Sequence, residues 1–320
     1  MIESMKRARS PLTGPRSQGA RGAFPAASAT WVILVGLVTG LASCDDVPPP
    51  PDYDECSPGW MRVAAGPFEM GMNEDDPSPV VNLWGSDLAP RHRVTLSEFC
   101  IMQTEVPVSS YRACVDAGAC AVPDATTTEE PWCNFSAQPG DREEHPVNCI
   151  AWADARSYCQ VWEGGDLPSE AQREKAARGT DGRYFPWGNE LPDCSRANYD
   201  VDGPVYDSTG GRFGCLETDP ILTWPVGYLQ GIRGDSPYGV KDMAGNVGEW
   251  VLDCYEPLRY QECSDGTCID PVYPCDSTDK AWRGGAATNP YQSSLSSVGR
   301  GSGSESGFGT GFRCTKRSDH

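Results

Sequence analysis

The sequence predicts a single loop-rich α+β domain held together by disulfides. Two observations point there first. Glycine (35) and proline (28) are plentiful while only 38% of the 320 residues are hydrophobic, a balance that favours turns over long regular elements. The chain also carries 15 cysteines behind an export-type leader, and in an oxidising compartment such a number reads as covalent staples. A third observation is that the apolar periodicities are few and short, so irregular segments must build much of the core.

The elements follow in order. Lys6, Arg7, Arg9, Arg16 and Arg21 form a basic region ahead of the apolar run Trp31–Ala42. That run is short for a membrane span and fits the apolar centre of a secretory signal, which gives a signal peptide over residues 1–43. It ends in Leu41-Ala-Ser-Cys44, which resembles a bacterial lipobox, so Cys44 is the expected lipidation site. Fourteen cysteines then remain, an even number. Residues 44–55, with Val47-Pro-Pro-Pro-Pro51 and several acids, read as an extended tether. Residues 56–316 read as the domain. The expected setting is the bacterial cell envelope, with the membrane as partner through the lipid. A net charge of −19 argues against a nucleic-acid partner, which would need a basic face.

Within the domain, short strands are expected at Met61–Ala65, Arg93–Leu96 and Phe99–Met102. A helix is predicted over Val108–Ala117, ending near Gly118. A second is expected with Asn148 as cap and Trp152, Ala155, Cys159 and Trp162 on one apolar stripe, stopped by Gly164-Gly165. A third begins at Ser169, with Gln172 completing a capping box, and closes at Gly179. Cys194 and Cys215 are expected to pair, with further pairing within 254–275.

The richest stretch is Gly239-Val-Lys-Asp-Met-Ala-Gly-Asn-Val-Gly-Glu-Trp250. Asp242 and Glu249 supply carboxylates, and the glycines let backbone carbonyls turn inward. Hard cations such as calcium need that supply of oxygens.

An ordered series of motifs runs along nearly the whole exported part. It comprises Trp60-Met-Arg-Val-Ala-Ala-Gly-Pro-Phe-Glu-Met-Gly71, Pro90-Arg-His-Arg-Val94, Glu105-Val106, His145-Pro-Val-Asn148, Leu167-Pro-Ser-Glu-Ala171, Phe185-Pro-Trp-Gly-Asn189, Ala197-Asn198, Met243-Ala-Gly-Asn-Val-Gly-Glu-Trp250, Arg283-Gly-Gly285 and Gly311-Phe-Arg-Cys314. The series resembles the formylglycine-generating enzyme, or sulfatase-modifying factor, family. The resemblance implies a compact α+β fold related to C-type lectins. It also implies, for active members, oxidation of a sulfatase cysteine to formylglycine with copper and oxygen.

That chemistry uses two cysteines five residues apart after the Arg-Gly-Gly run, because soft thiolates select Cu(I). Counted from Arg283, those positions are Asn289 and Ser294, so no catalytic pair is expected and copper is not expected as a cofactor. The resemblance further implies a Cys159–Cys314 disulfide. It implies calcium held by Asp242, Glu249 and the carbonyls of Gly245 and Val247, with Asn198 and the Tyr199 carbonyl contributing to a second site. His92 and His145 lie in framework motifs and read as structural rather than as iron ligands. Asn289, Tyr291 and Gln292 fall where the family grips its substrate and are expected to contact a ligand. The expected function is therefore a lipid-anchored, non-catalytic binding module for a peptide, glycan or envelope protein. The alternative is a formylglycine-generating-type oxidoreductase with a divergent metal site.

Overall fold

Alternation sets the first strand pair. In the segment Gly66–Met70 (β2) Phe68 and Met70 point inward while Pro67 and Glu69 are exposed, the period of two expected of a half-buried strand. β2 pairs antiparallel with β3 (His92–Leu96), Phe68 opposite Val94. The computed structural model describes residues 56–318 except 74, 77–85, 124–131, 201–214, 216–222, 230–232, 264–267, 274–277, 290–291 and 304–308. The leader, Cys44, the tether and Tyr291 lie outside the described residues.

Around that pair the described residues form three small sheets. The first runs β1 (Trp60–Val63), β4 (Phe99–Met102) and β10 (Thr315–Arg317), bringing the start and end of the domain together on β4. β1 begins one residue earlier than expected and stops two residues sooner. The second joins β2, β3 and the short parallel β6 (Cys268–Ile269). The third is ordered β8 (Arg300–Gly303), β7 (Lys280–Arg283), β5 (Gly248–Cys254) and β9 (Thr310–Gly311).

Helix α1 spans Val108–Asp116. Helix α2 spans Trp152–Val161 with Ala151, not Asn148, at its N-cap. Asn148 is diverted because its side chain accepts from Asn134 N (2.8 Å) and donates to the Trp132 carbonyl (2.9 Å). On α2, Ala155, Tyr158 and Cys159 are buried, whereas Trp162 at the C-cap is 41% exposed and lies off the expected stripe. Helix α3 spans Glu170–Arg178 and carries the expected capping box of Ser169 and Gln172, closing at Gly179.

Tyr111 of α1, Tyr158 of α2 and Phe312 meet in an aromatic cluster, with ring centroids 5.5 Å apart for Tyr111–Tyr158 and for Tyr158–Phe312. The Cys159–Cys314 disulfide joins α2 to the segment before β10 across 155 residues. Cys56–Cys100, Cys114–Cys120, Cys133–Cys149, Cys194–Cys215 and Cys263–Cys268 staple other loops.

Helix α3 is buried yet charged along its length. Glu170, Arg173, Glu174, Lys175 and Arg178 are each at most 4% exposed, and such residues go inside only when paired. Each has a partner. Lys175 donates to the carbonyls of Ala64 and Gly66. Arg178 bonds Glu174 and the carbonyl of Gly71. Glu170 takes Arg283 and Arg300, and Glu174 also takes Arg283. This lattice ties α3 to β7 and β8, and so fixes the Gly284-Gly285 turn that leads into the candidate site.

Candidate functional site

The loop 239–249 leads into β5, which places Glu249 at the centre of the domain. Helix α3 brings Arg173 against it, and the segment after β9 brings Arg313. Arg173 Nε and Nη2 donate to the two Glu249 oxygens, both at 3.0 Å. Arg313 Nε and Nη2 donate to the same oxygens at 2.8 and 2.9 Å. All three side chains are essentially fully buried. Burial alone would raise the Glu249 carboxyl, but the two guanidinium charges override it and hold it below its ordinary value. The same arginines also take loop carbonyls, Arg173 that of Met243 (2.8 Å) and Arg313 that of Lys241 (2.9 Å).

This geometry bears on one residue of the expected calcium set. A calcium ligand needs oxygens free to face the ion, and both oxygens of Glu249 already face two fixed cations. Glu249 does not fit the ligand role and serves as counter-ion to Arg173 and Arg313.

Asp242 sits in the left-handed region with φ +55°, and its Oδ2 accepts from Gly227 N at 2.5 Å. Beside it lies Glu105, whose Oε1 accepts from Asn246 Nδ2 at 3.1 Å. Burial first, then the charge of Asp242, pushes the Glu105 carboxyl well above its ordinary value, and burial raises Asp242 as well.

The other expected ligand groups are partly gathered. Asn198 and Gly245 form a parallel bridge, and a Cβ on Gly245 would lie 2.3 Å from the Asn198 carbonyl, so only glycine permits the approach. Asn198 Oδ1 accepts from Cys215 N. Tyr199 is buried and donates its hydroxyl to the Pro192 carbonyl, while Val247 is fully buried. Among the described residues no group of three or more His, Cys, Asp or Glu side chains is arranged to hold a metal ion. His92 bonds the Pro90 carbonyl and His145 bonds Thr223, the structural roles expected of both.

The second region is a cavity of about 240 Å³ on the β5–β7–β8 sheet, bounded by Trp282, Thr288, Asn289, Ser302 and Thr310. Asn289 closes the turn after β7, its Oδ1 accepting from Ala286 N at 2.7 Å and its N–H reaching the Ala286 carbonyl. Ser294 lies in the 3-10 turn Gln292–Leu295, half-buried, and does not border the cavity. Gln292 faces Tyr199, whose hydroxyl it hydrogen-bonds, and also lies away from the cavity lining. Thus Asn289 borders the cavity, while Gln292 and Ser294 are not among its lining residues.

A copper(I) ion does not fit the Asn289 and Ser294 positions, because amide and hydroxyl oxygens are hard, neutral donors where Cu(I) needs soft thiolate. Every described cysteine is disulfide-bonded, Cys254 included.

Sequence reasoning missed Trp282 and Ser302 as lining residues and Arg173 as the partner of Glu249. A signal for the first exists: Gly299, just ahead of β8, and Gly301 and Gly303 within it alternate and strip one face of side chains.

Residues 48–318 match the model of the sulfatase-modifying factor enzyme 1-like domain. The chain is 30% identical over 271 residues to the formylglycine-generating enzyme of Thermomonospora curvata, covering 72% of this chain and 83% of that one. It is 32% identical over 117 residues to the inactive C-alpha-formylglycine-generating enzyme 2 of Bos taurus, 36% of this chain and 35% of that relative. The structure of PvdO from Pseudomonas aeruginosa superposes with a TM-score of 0.61 at 25% identity, over 82% of this chain and 96% of that one.

Proposed function

We propose that this chain, which belongs to the sulfatase-modifying factor (formylglycine-generating enzyme-like) family, is a binding module rather than an oxidase. In this reading it is exported and anchored to the bacterial envelope through lipid on Cys44. One observation carries the reading. The positions where the family's thiol pair would stand are Asn289 and Ser294, and the described cysteines are consumed in disulfides. The scaffold is retained around a cavity whose described lining residues are uncharged and include Thr288, Asn289, Ser302 and Thr310. The family contains a relative whose name declares it inactive, so loss of the oxidase on this fold has a parallel.

The export reading rests on Leu41-Ala-Ser-Cys44 and on the density of disulfides, which persist outside the reducing cytosol. The test of the binding-module reading is incubation of the purified protein with copper(I), oxygen and a sulfatase-type cysteine peptide. Mass spectrometry and an aldehyde-reactive probe should find the peptide unchanged. Catalytic conversion of its cysteine to formylglycine would reject the reading.

A further inference from the structure

We propose that the cavity on the β5–β7–β8 sheet is a seat for one neutral saccharide ring, an inference that rests on the binding-module reading and gives it a ligand class. The first support is the setting of Trp282. On β7 it stands opposite Gly301 of β8 and Trp250 of β5. A Cβ on Gly301 would lie 2.4 Å from the indole, and one on Gly248 would lie 3.2 Å from it. The ring therefore lies across the strands, filling the space that side chains at 248 and 301 would occupy. Trp282 is only partly buried and borders the cavity, so the indole forms part of its floor.

The second support is charge. The chain carries 45 acidic and 26 basic side chains, yet none of the described residues lining this cavity is charged. A charged ligand would meet no counter-charge from these residues.

The third support is the rim. Asn289 spends its carbonyl oxygen on Ala286 N, which leaves Nδ2 as its available donor. The hydroxyls of Thr288, Ser302 and Thr310 make no hydrogen bond among the described residues. Each hydroxyl can donate and accept, which suits a ligand bearing hydroxyls of its own.

A pyranose ring presents C–H groups on one face and hydroxyls around its edge. Its C–H hydrogens suit the electron-rich face of an indole, and its hydroxyls suit the Ser, Thr and Asn rim. A volume of about 240 Å³ falls below the roughly 300–1,000 Å³ of pockets that enclose drug-sized ligands. It accepts one ring, with the rest of a longer chain outside.

The test titrates the intact protein with neutral hexose and N-acetylhexosamine oligomers of one to four units, followed by tryptophan fluorescence and calorimetry. Neutral hexapeptides of Gly, Ser, Thr and Pro form the second arm. Saccharide binding is expected, weakened about tenfold by Trp282→Ala as stacking is lost. Trp282→Phe should lose less, and Asn289→Ala should also weaken binding. Thermal melts check that each variant is folded. If Trp282→Ala is not, Asn289→Ala and Ser302→Asp decide, and both should weaken binding. Failure of every saccharide to bind, or binding untouched by these changes, overturns the proposal. Peptide binding without saccharide binding overturns the saccharide while sparing the binding module. Conversion of a cysteine peptide to the aldehyde would remove both.

Discussion

Arg173 and Glu249 form a two-pronged ion pair at 3.0 Å with both side chains essentially out of solvent. Arg313 repeats the same contact from the other side of the carboxylate. The carboxylate of the loop most suggestive of calcium is thereby neutralised by the protein's own cations. Buried charges are tolerated when fully paired and hydrogen-bonded, and breaking such a pair leaves an uncompensated charge.

Glu249→Gln should therefore destabilise the domain by about 3–5 kcal/mol, measured by denaturant unfolding. The loss should be equal in calcium and in chelator. A loss seen only when calcium is present would return Glu249 to a ligand role.

Cys314→Ser should cost about 2–5 kcal/mol of stability, as for a native disulfide in an exported domain. Its bridge to Cys159 closes 155 residues and pins α2 against the end of the chain. An unshifted melt would show that the bridge contributes nothing to stability.

Asp253 gives a pH dependence. Its oxygens accept from Glu170 N (2.8 Å) and Tyr273 N (3.0 Å). Burial first, then the charge of Glu170, pushes its carboxyl from the ordinary 3.8 up to about 7. The folded state thus holds a proton that the unfolded state has released across this window. Its stabilising contribution is complete below the unfolded value and is lost as pH rises through the folded value. The stability of the wild type relative to Asp253→Asn should accordingly fall as pH rises from about 4 to 7. A difference constant across that range would contradict the raised value.

Gly301→Ala tests the floor of the cavity. The added Cβ would meet the Trp282 ring at 2.4 Å, so the indole must tilt or the strand must shift. Overpacking of this kind costs typically about 1–3 kcal/mol. A variant as stable as the wild type, with an unchanged tryptophan emission spectrum, would show that the ring does not rest on that glycine.

What could be read from the sequence was largely local. Ser169 and Gln172 are three residues apart, so their reciprocal cap is written in adjacent letters, and it forms as expected. Asn148 looked equally like a cap, but partners at Trp132 and Asn134 claim its amide, a competition no periodicity reveals. The pairing of Glu249 with Arg173 spans 76 residues, so the same letters that suggested a cation site gave no sign of the arginine beside it. At the cavity, the spacing from Arg283 leads to Asn289, which does border it. The same count reaches Ser294, and the resemblance adds Gln292, but both lie in the 3-10 turn Gln292–Leu295 and neither is among the lining residues.

The most direct measurement is a thiol titration of the unreduced, denatured protein combined with copper(I) binding to the native form. The account predicts no titratable thiol from the described cysteines and no stoichiometric copper. One copper(I) bound per chain, together with two free thiols, would contradict it.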